Sequence, residues 1–139
     1  MVSDLSIFID TGVFVAARNR SDINHVRAVK LLKKALKGEY GEPYTSDYVF
    51  DEAVTVALVR TGSPRIALDI GNFILSSRKL KILYVDKAVF KEAWSIFAKY
   101  SSKGLSFTDA TTVALMRFYG INYIMSFDKH FNGIVPKIC

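Results

Sequence analysis

Short apolar runs alternate along the chain with longer stretches whose apolar positions recur at helical spacing. Leu5 to Ile9 is a compact run, interrupted by Ser6 and closed by Asp10-Thr11-Gly12, and it reads as a buried strand. A short helix is expected over about Val13 to Arg18. Asp22 then suits the N-cap of a helix reaching Lys37 and stopped by Gly38, because Ile23, Val26, Val29, Leu32 and Leu36 keep helical spacing. Pro43-Tyr44-Thr45 fits a short strand. Ser46 to Arg60 predicts a helix that is apolar almost all round, hence buried. Gly62-Ser63-Pro64 breaks it, and Arg65 to Ser76 forms another helix. Lys81 to Val85 reads as a strand, Asp86 caps a helix through Tyr100, and Ser101 to Gly104 is a loop. Phe107 to Tyr119 is helical up to Gly120, Asn122 to Ser126 is a strand, and Ile134 to Ile138 adds a last edge strand.

This alternation predicts an α/β fold with a mainly parallel central sheet of about four to five strands, covered by helices on both faces. With no long linker, repeat or low-complexity segment, residues 1–139 read as one domain. Its 139 residues, half of them hydrophobic, suffice for a sizeable core. Disorder is excluded by aliphatic and aromatic residues running throughout. No apolar run approaches the roughly 20 residues of a membrane span. Met1-Val2-Ser3-Asp4 has no basic stretch of the kind that opens a secretion signal. The single cysteine, Cys139, excludes disulfide frameworks and Cys-based zinc sites, so the expected compartment is the cytoplasm.

Nineteen Lys and Arg against thirteen Asp and Glu give a net charge of +6. Arg27, Lys30, Lys34 and Lys37 recur at helical spacing and form one basic stripe, a candidate nucleic-acid contact or simply a solvated face. Further basic residues gather at Arg78, Lys79 and Lys81.

The informative residues are acids. In parallel sheets, ligands sit beyond the carboxyl ends of the strands. Asp10 directly follows the first strand. The helix from Phe107 descends about 20 Å, and the strand after it climbs back about 20 Å, so Asp128 returns to the level of Asp109. A fourth acid comes from the helix beginning near Ser46. Glu52 is embedded among Val49, Ala53 and Val56, whereas Asp51 has Asp47 and Thr55 beside it; Glu52 is favoured, with Asp51 in reserve. Each acid also has a structural reading: Asp10 as a helix cap, Asp109 in a Ser106-x-x-Asp109 capping box, Asp128 as the start of a turn.

Three or four carboxylates converging on one edge repel one another unless a cation neutralises them. Oxygen donors without cysteine point to Mg²⁺ or Mn²⁺. Such an ion orients and helps deprotonate a water for attack on a phosphodiester. Thr11, Thr108 and Ser126 adjoin the acids and offer supporting hydroxyls. His25 and His130 fit no zinc spacing and read as surface residues. A haloacid-dehalogenase phosphatase needs a second Asp where Gly12 stands, and a receiver domain needs an acidic pair at the first strand end. Nucleotide-binding glycine loops and the GxSxG elbow are absent from the sequence.

The ordered segments Ile7-Phe8-Ile9-Asp10-Thr11-Gly12-Val13, Thr45-Ser46 through Glu52 to Leu58, Leu105-Ser106-Phe107-Thr108-Asp109-Ala110 and Ile124-Met125-Ser126-Phe127-Asp128-Lys129-His130-Phe131 resemble those of PIN-domain nucleases, most closely the VapC-like toxins. The resemblance covers nearly the whole chain; Gly12 stands where that family usually has Asn. It implies a PIN-like α/β/α sandwich and makes Asp10, Glu52, Asp109 and Asp128 the metal-binding quartet. It further implies Mg²⁺- or Mn²⁺-dependent RNA cleavage, a homodimer and a cognate antitoxin protein. The alternatives are a catalytically silent PIN module that binds RNA or protein, and a PIN nuclease of RNA processing.

Overall fold

Residues 5–139 are described by the computed structural model; Met1–Asp4, the stretch inspected for a secretion signal, lies outside them. Within the described residues five strands make one parallel sheet: β1 (Ser6–Ile9), β2 (Glu42–Ser46), β3 (Lys81–Leu83), β4 (Tyr123–Met125) and β5 (Lys137–Ile138). Their order is β3-β2-β1-β4-β5, so β1 is central, and every residue of it is buried. Phe8 pairs with Tyr44 on one side and with Ile124 on the other. Among the described residues six α-helices connect and cover the strands: α1 (Thr11–Arg18), α2 (His25–Leu36), α3 (Asp47–Thr61), α4 (Pro64–Ser76), α5 (Lys87–Tyr100) and α6 (Phe107–Tyr119).

The chain steps from β1 to β2 to β3 in one direction, then crosses back to β4 on the far side of β1. With right-handed crossovers, α1 to α4 cover one face and α5 and α6 the other. The α/β/α sandwich expected from the alternation is therefore the observed fold. Its core joins Ile7, Phe8 and Ile9 of β1 to Phe14, Ile70, Ile74, Leu115 and Phe131, all fully buried. The order reverses at β1, which opens a crevice between the carboxyl ends of β1 and β4. Among the described residues no helix is long and apolar enough to cross a membrane.

Several elements follow their local chemistry closely. Ser46, Ser63, Asp86 and Ser106 cap α3, α4, α5 and α6, each accepting from a backbone N–H three residues on. Gly62 and Gly120 end α3 and α6 with φ of 65°.

Other boundaries differ from the sequence reading. Asp22 does not cap α2. Its carboxylate accepts from the Asn24 N–H at 2.8 Å in an Asx turn, which delays the helix to His25. Strand β3 stops at Leu83, because the Val85 N–H bonds to Asp47 Oδ1 (3.1 Å) instead of to a strand neighbour. Strand β5 is only two residues long, since Ile134 and Val135 turn back onto the Phe131 carbonyl. Helix α3 is not buried all round. Only Val49, Ala53 and Ala57 form its covered stripe, while Leu58 is 44% and Val59 77% exposed. Its apolar composition marks a helix flanked by cavities rather than one enclosed by neighbours.

Candidate active site

At the carboxyl edge an open cleft of about 410 Å³ is lined by Asp10, Glu52, Asp109 and Asp128, with Asp22 and Asn24 at its margin. Asp10 is held there because its own N–H bonds to the Met125 carbonyl (3.0 Å) at the end of β4. It occupies the N-cap position of α1, yet its side chain caps nothing. Instead the Ser126 hydroxyl donates to Asp10 Oδ2 at 2.7 Å, while Ser126 Oγ accepts the Asp128 N–H at 3.0 Å. Asp10 Oδ1 is buried and unpartnered, one of two such side-chain atoms among the described residues; the other is the Thr112 hydroxyl.

Glu52 enters from α3 one turn below its start, and the Thr11 hydroxyl donates to its Oε1 at 2.6 Å. Asp51, on the same helix, is exposed and does not line the cleft. Asp109 closes a capping box with Ser106, its Oδ2 accepting the Ser106 N–H at 3.1 Å. The structural reading of Asp109 is thus realised, without removing the residue from the cleft. Asp128 caps a short helical turn (Lys129–Phe131) by accepting the His130 N–H at 2.8 Å.

One oxygen from each of Asp10, Glu52 and Asp109 lies within 4.8 Å of the others. The same holds for one ligand atom each from Asp109, Asp128 and His130. Burial is the main force pushing the Asp10 carboxyl up to about 7; the charges of Asp109 and Glu52 add to it, while the bond from Ser126 and the nearby Thr11 backbone N–H oppose it. Asp109 is pushed up to about 6, again chiefly by burial, with Asp128 and Glu52 adding and Ser106 opposing. The protein therefore concentrates negative charge in a place where it is poorly compensated. An unpartnered buried carboxylate oxygen within a set of hard oxygen donors suits a divalent cation.

The supporting residues divide. Thr11 and Ser126 bond the acids directly. Thr108 is not among the cleft residues; its carbonyl accepts from the Thr111 hydroxyl at 2.6 Å. The basic stripe also divides, although Arg27, Lys30, Lys34 and Lys37 are all exposed. Arg27 reaches the site margin, its guanidinium 4.6 Å from the ring centre of Phe127, which lines the cleft. Lys37 follows the end of α2 and borders a separate cavity with Gly41, Glu42, Arg78 and Lys79 at the amino ends of the strands.

Two cleft residues escape the sequence reading. His130 is exposed as expected, but its Nδ1 stands 2.9 Å from Asp128 Oδ1, bringing an imidazole to the acids. Gly104 leaves room for it, since a Cβ there would lie 2.9 Å from His130 Nε2. Arg60 is the other. The series Glu52, Val56, Arg60 at intervals of four is visible in the sequence and puts all three on one face of α3.

A parallel α/β domain with a cluster of acids at the switch point of its sheet defines a class of metal-site proteins, and the PIN domain model matches residues 7–135. The chain belongs to the PIN domain family. A VapC ribonuclease of Archaeoglobus fulgidus is 26% identical over 132 residues, 92% of this chain and 80% of that protein. The 23S rRNA-specific endonuclease VapC20 of Mycobacterium tuberculosis is 29% identical over 127 residues, 91% of this chain and 92% of that protein. The crystal structure of that VapC20, described as a Sarcin-Ricin loop cleaving toxin, superposes with a TM-score of 0.82 at 26% identity, covering 95% of this chain and 98% of that one. A structure of VapBC2 from Rickettsia felis, bound to a promoter DNA fragment, shares the fold at 14% identity. Its TM-score is 0.66, with 96% of this chain and 98% of that one covered.

Proposed function

We propose that this protein is a Mg²⁺- or Mn²⁺-dependent endoribonuclease that acts as the toxin of a toxin–antitoxin pair, working in the cytoplasm as a homodimer and held by a cognate antitoxin protein. The observation that carries the catalytic part is the cluster of Asp10, Glu52, Asp109 and Asp128 at one cleft, with Asp10 Oδ1 buried and unpartnered. The names of the two VapC relatives support the RNA substrate, and the description of the VapC20 structure as a toxin supports the toxin role.

Asp10, Glu52 and Asp109 would hold the cation, with Asp128 and His130 completing the site beside Asp109. When bound, the ion lowers the pKa of a water and offsets charge on the phosphodiester oxygens. The chain's own residues do the rest. Ser126 fixes the Asp10 carboxylate through Oδ2 and so keeps Oδ1 free for ligation. Thr11 holds Glu52 in the same way through Oε1. The Asp109 capping box locks the start of α6 and with it the carboxylate's position. Arg27, packed on Phe127, supplies positive charge where an RNA backbone would approach, and Lys30, Lys34 and Lys37 extend that charge along the surface.

The test is cleavage of a labelled single-stranded RNA by the purified protein with Mn²⁺, Mg²⁺ or EDTA. Metal-dependent cleavage supports the proposal. Binding of RNA without cleavage in any metal would favour the silent module instead.

A further inference from the structure

The cleft is chemically lopsided. Among the described residues, five carboxylates line it (Asp10, Asp22, Glu52, Asp109 and Asp128), against a single fixed cation, Arg60. Arg60 is exposed and, among the described residues, its side chain makes no ion pair or hydrogen bond. It stands two turns along α3 from Glu52, about 12 Å by helical rise, and Val56 lies between them on the same face. Asp10, Glu52, Asp109, Asp128 and His130 gather around the Glu52 end. An arginine whose role was to neutralise the acids would bond one of them, as Arg18 does with Asp69 at 2.8 and 2.9 Å. Arg60 does not.

We propose that Arg60 forms a phosphate-binding subsite: its guanidinium holds an RNA backbone phosphate one or two nucleotides from the bond cut beside Asp10. The proposal rests on the ribonuclease reading above and adds a substrate contact to it. Guanidinium geometry suits this task, since its fork of N–H donors matches two phosphate oxygens at once and its charge persists at any working pH. Val56 and Val15 give the cleft between the two ends an apolar wall, against which ribose or base can lie while the charged groups grip the backbone at separated points. The arrangement sets the line of the strand: one phosphate at the acids, another at Arg60.

Binding and turnover test this separately. Affinity for a single-stranded oligoribonucleotide is measured by fluorescence anisotropy against salt on an Asp10→Asn background, which leaves the RNA uncut. Adding Arg60→Ala is expected to weaken binding about ten-fold at low salt and to reduce the slope of log affinity against log salt by about 0.7. Arg60→Lys should keep most of the slope but lose part of the affinity, because charge remains and the fork is gone. On the wild-type background Arg60→Ala should raise KM more than it lowers kcat. Unchanged affinity and slope in the Arg60→Ala protein overturn the subsite, whatever the cleavage assay returns. Failure of the wild type to cleave, with the slope change intact, instead removes the ribonuclease reading and leaves the phosphate contact.

Discussion

Two cavities of similar size flank α3 and differ in almost everything else. The cleft of about 410 Å³ receives Glu52, Val56 and Arg60 from one face of the helix and closes against four more carboxylates. The groove of about 490 Å³ on the other face is walled by Phe50, Val54, Thr55 and Leu58 of α3 and by Pro64, Ala67, Leu68, Gly71, Asn72 and Leu75 of α4. The groove costs the fold little, because its partly exposed apolar side chains carry no unmet polar groups. The cleft is expensive: it buries Asp10 and Asp109 to 5% exposure and leaves Asp10 Oδ1 without a partner. Packing alone gives no reason to gather these charges, so the cleft marks where structure has been subordinated to chemistry.

The largest effect expected from this contrast is on catalysis. Asp10→Asn should reduce RNA cleavage by about a thousand-fold or more, equivalent to about 4 kcal/mol in the barrier, while the variant stays folded. Near-normal turnover would take Asp10 out of the site.

Next comes the pH dependence of the metal-free protein. Asp10 and Asp109 titrate in the folded state near 7 and 6, above the ordinary carboxyl value of 3.8, so the folded protein binds more protons than the unfolded one over this range. Their contribution is fully present below about pH 4 and is lost as pH rises through 6 and 7. Chemical denaturation in EDTA should show stability falling by up to about 4 kcal/mol between pH 5 and 8. Stability that is flat or rising there would mean the carboxylates are better compensated than their surroundings indicate.

On the apolar side, Ile70→Ala should cost about 3 kcal/mol, because Ile70 is fully buried on the covered face of α4. Leu68→Ala, in the groove wall at 66% exposure, should change stability by no more than about 0.5 kcal/mol. Equal costs would mean the groove belongs to the core. Ser126→Ala should cost about 1 kcal/mol, from loss of the bonds to Asp10 Oδ2 and the Asp128 N–H. Activity should fall less than in Asp10→Asn, since the ligand remains and only its positioning is lost.

The sequence makes the fold legible wherever local chemistry decides. Helix α6 spans Phe107–Tyr119 as read, because Ser106 caps it and Gly120 ends it. It fails where a distant partner intervenes: Asp47 takes the Val85 N–H and shortens β3, and no pattern within residues 81–85 announces that. Apolar composition overstates the burial of α3, because periodicity reports which residues are apolar but not whether a neighbour arrives to cover them. The carboxyl-edge rule brings Asp10, Asp109 and Asp128 together from strand and helix lengths alone. Helical phase leaves Asp51 in reserve behind Glu52, and the fold admits only Glu52 to the cleft. Thr108 adjoins an acid in sequence and still stays out of the lining. Conversely, His130 and Arg60 enter it through a turn geometry and a two-turn helical reach, neither of which a search for acids would find.

If the acids form a cation site, their mutual repulsion destabilises the fold until it is filled. Thermal melting of the wild type and Asp10→Asn at pH 8, each with EDTA or Mn²⁺, tests it most directly. Asp10→Asn in EDTA is expected to melt at or above the wild type, and Mn²⁺ to raise the melting temperature of the wild type far more than that of the variant. A variant that melts well below the wild type in EDTA, or an equal Mn²⁺ shift in both proteins, would contradict it.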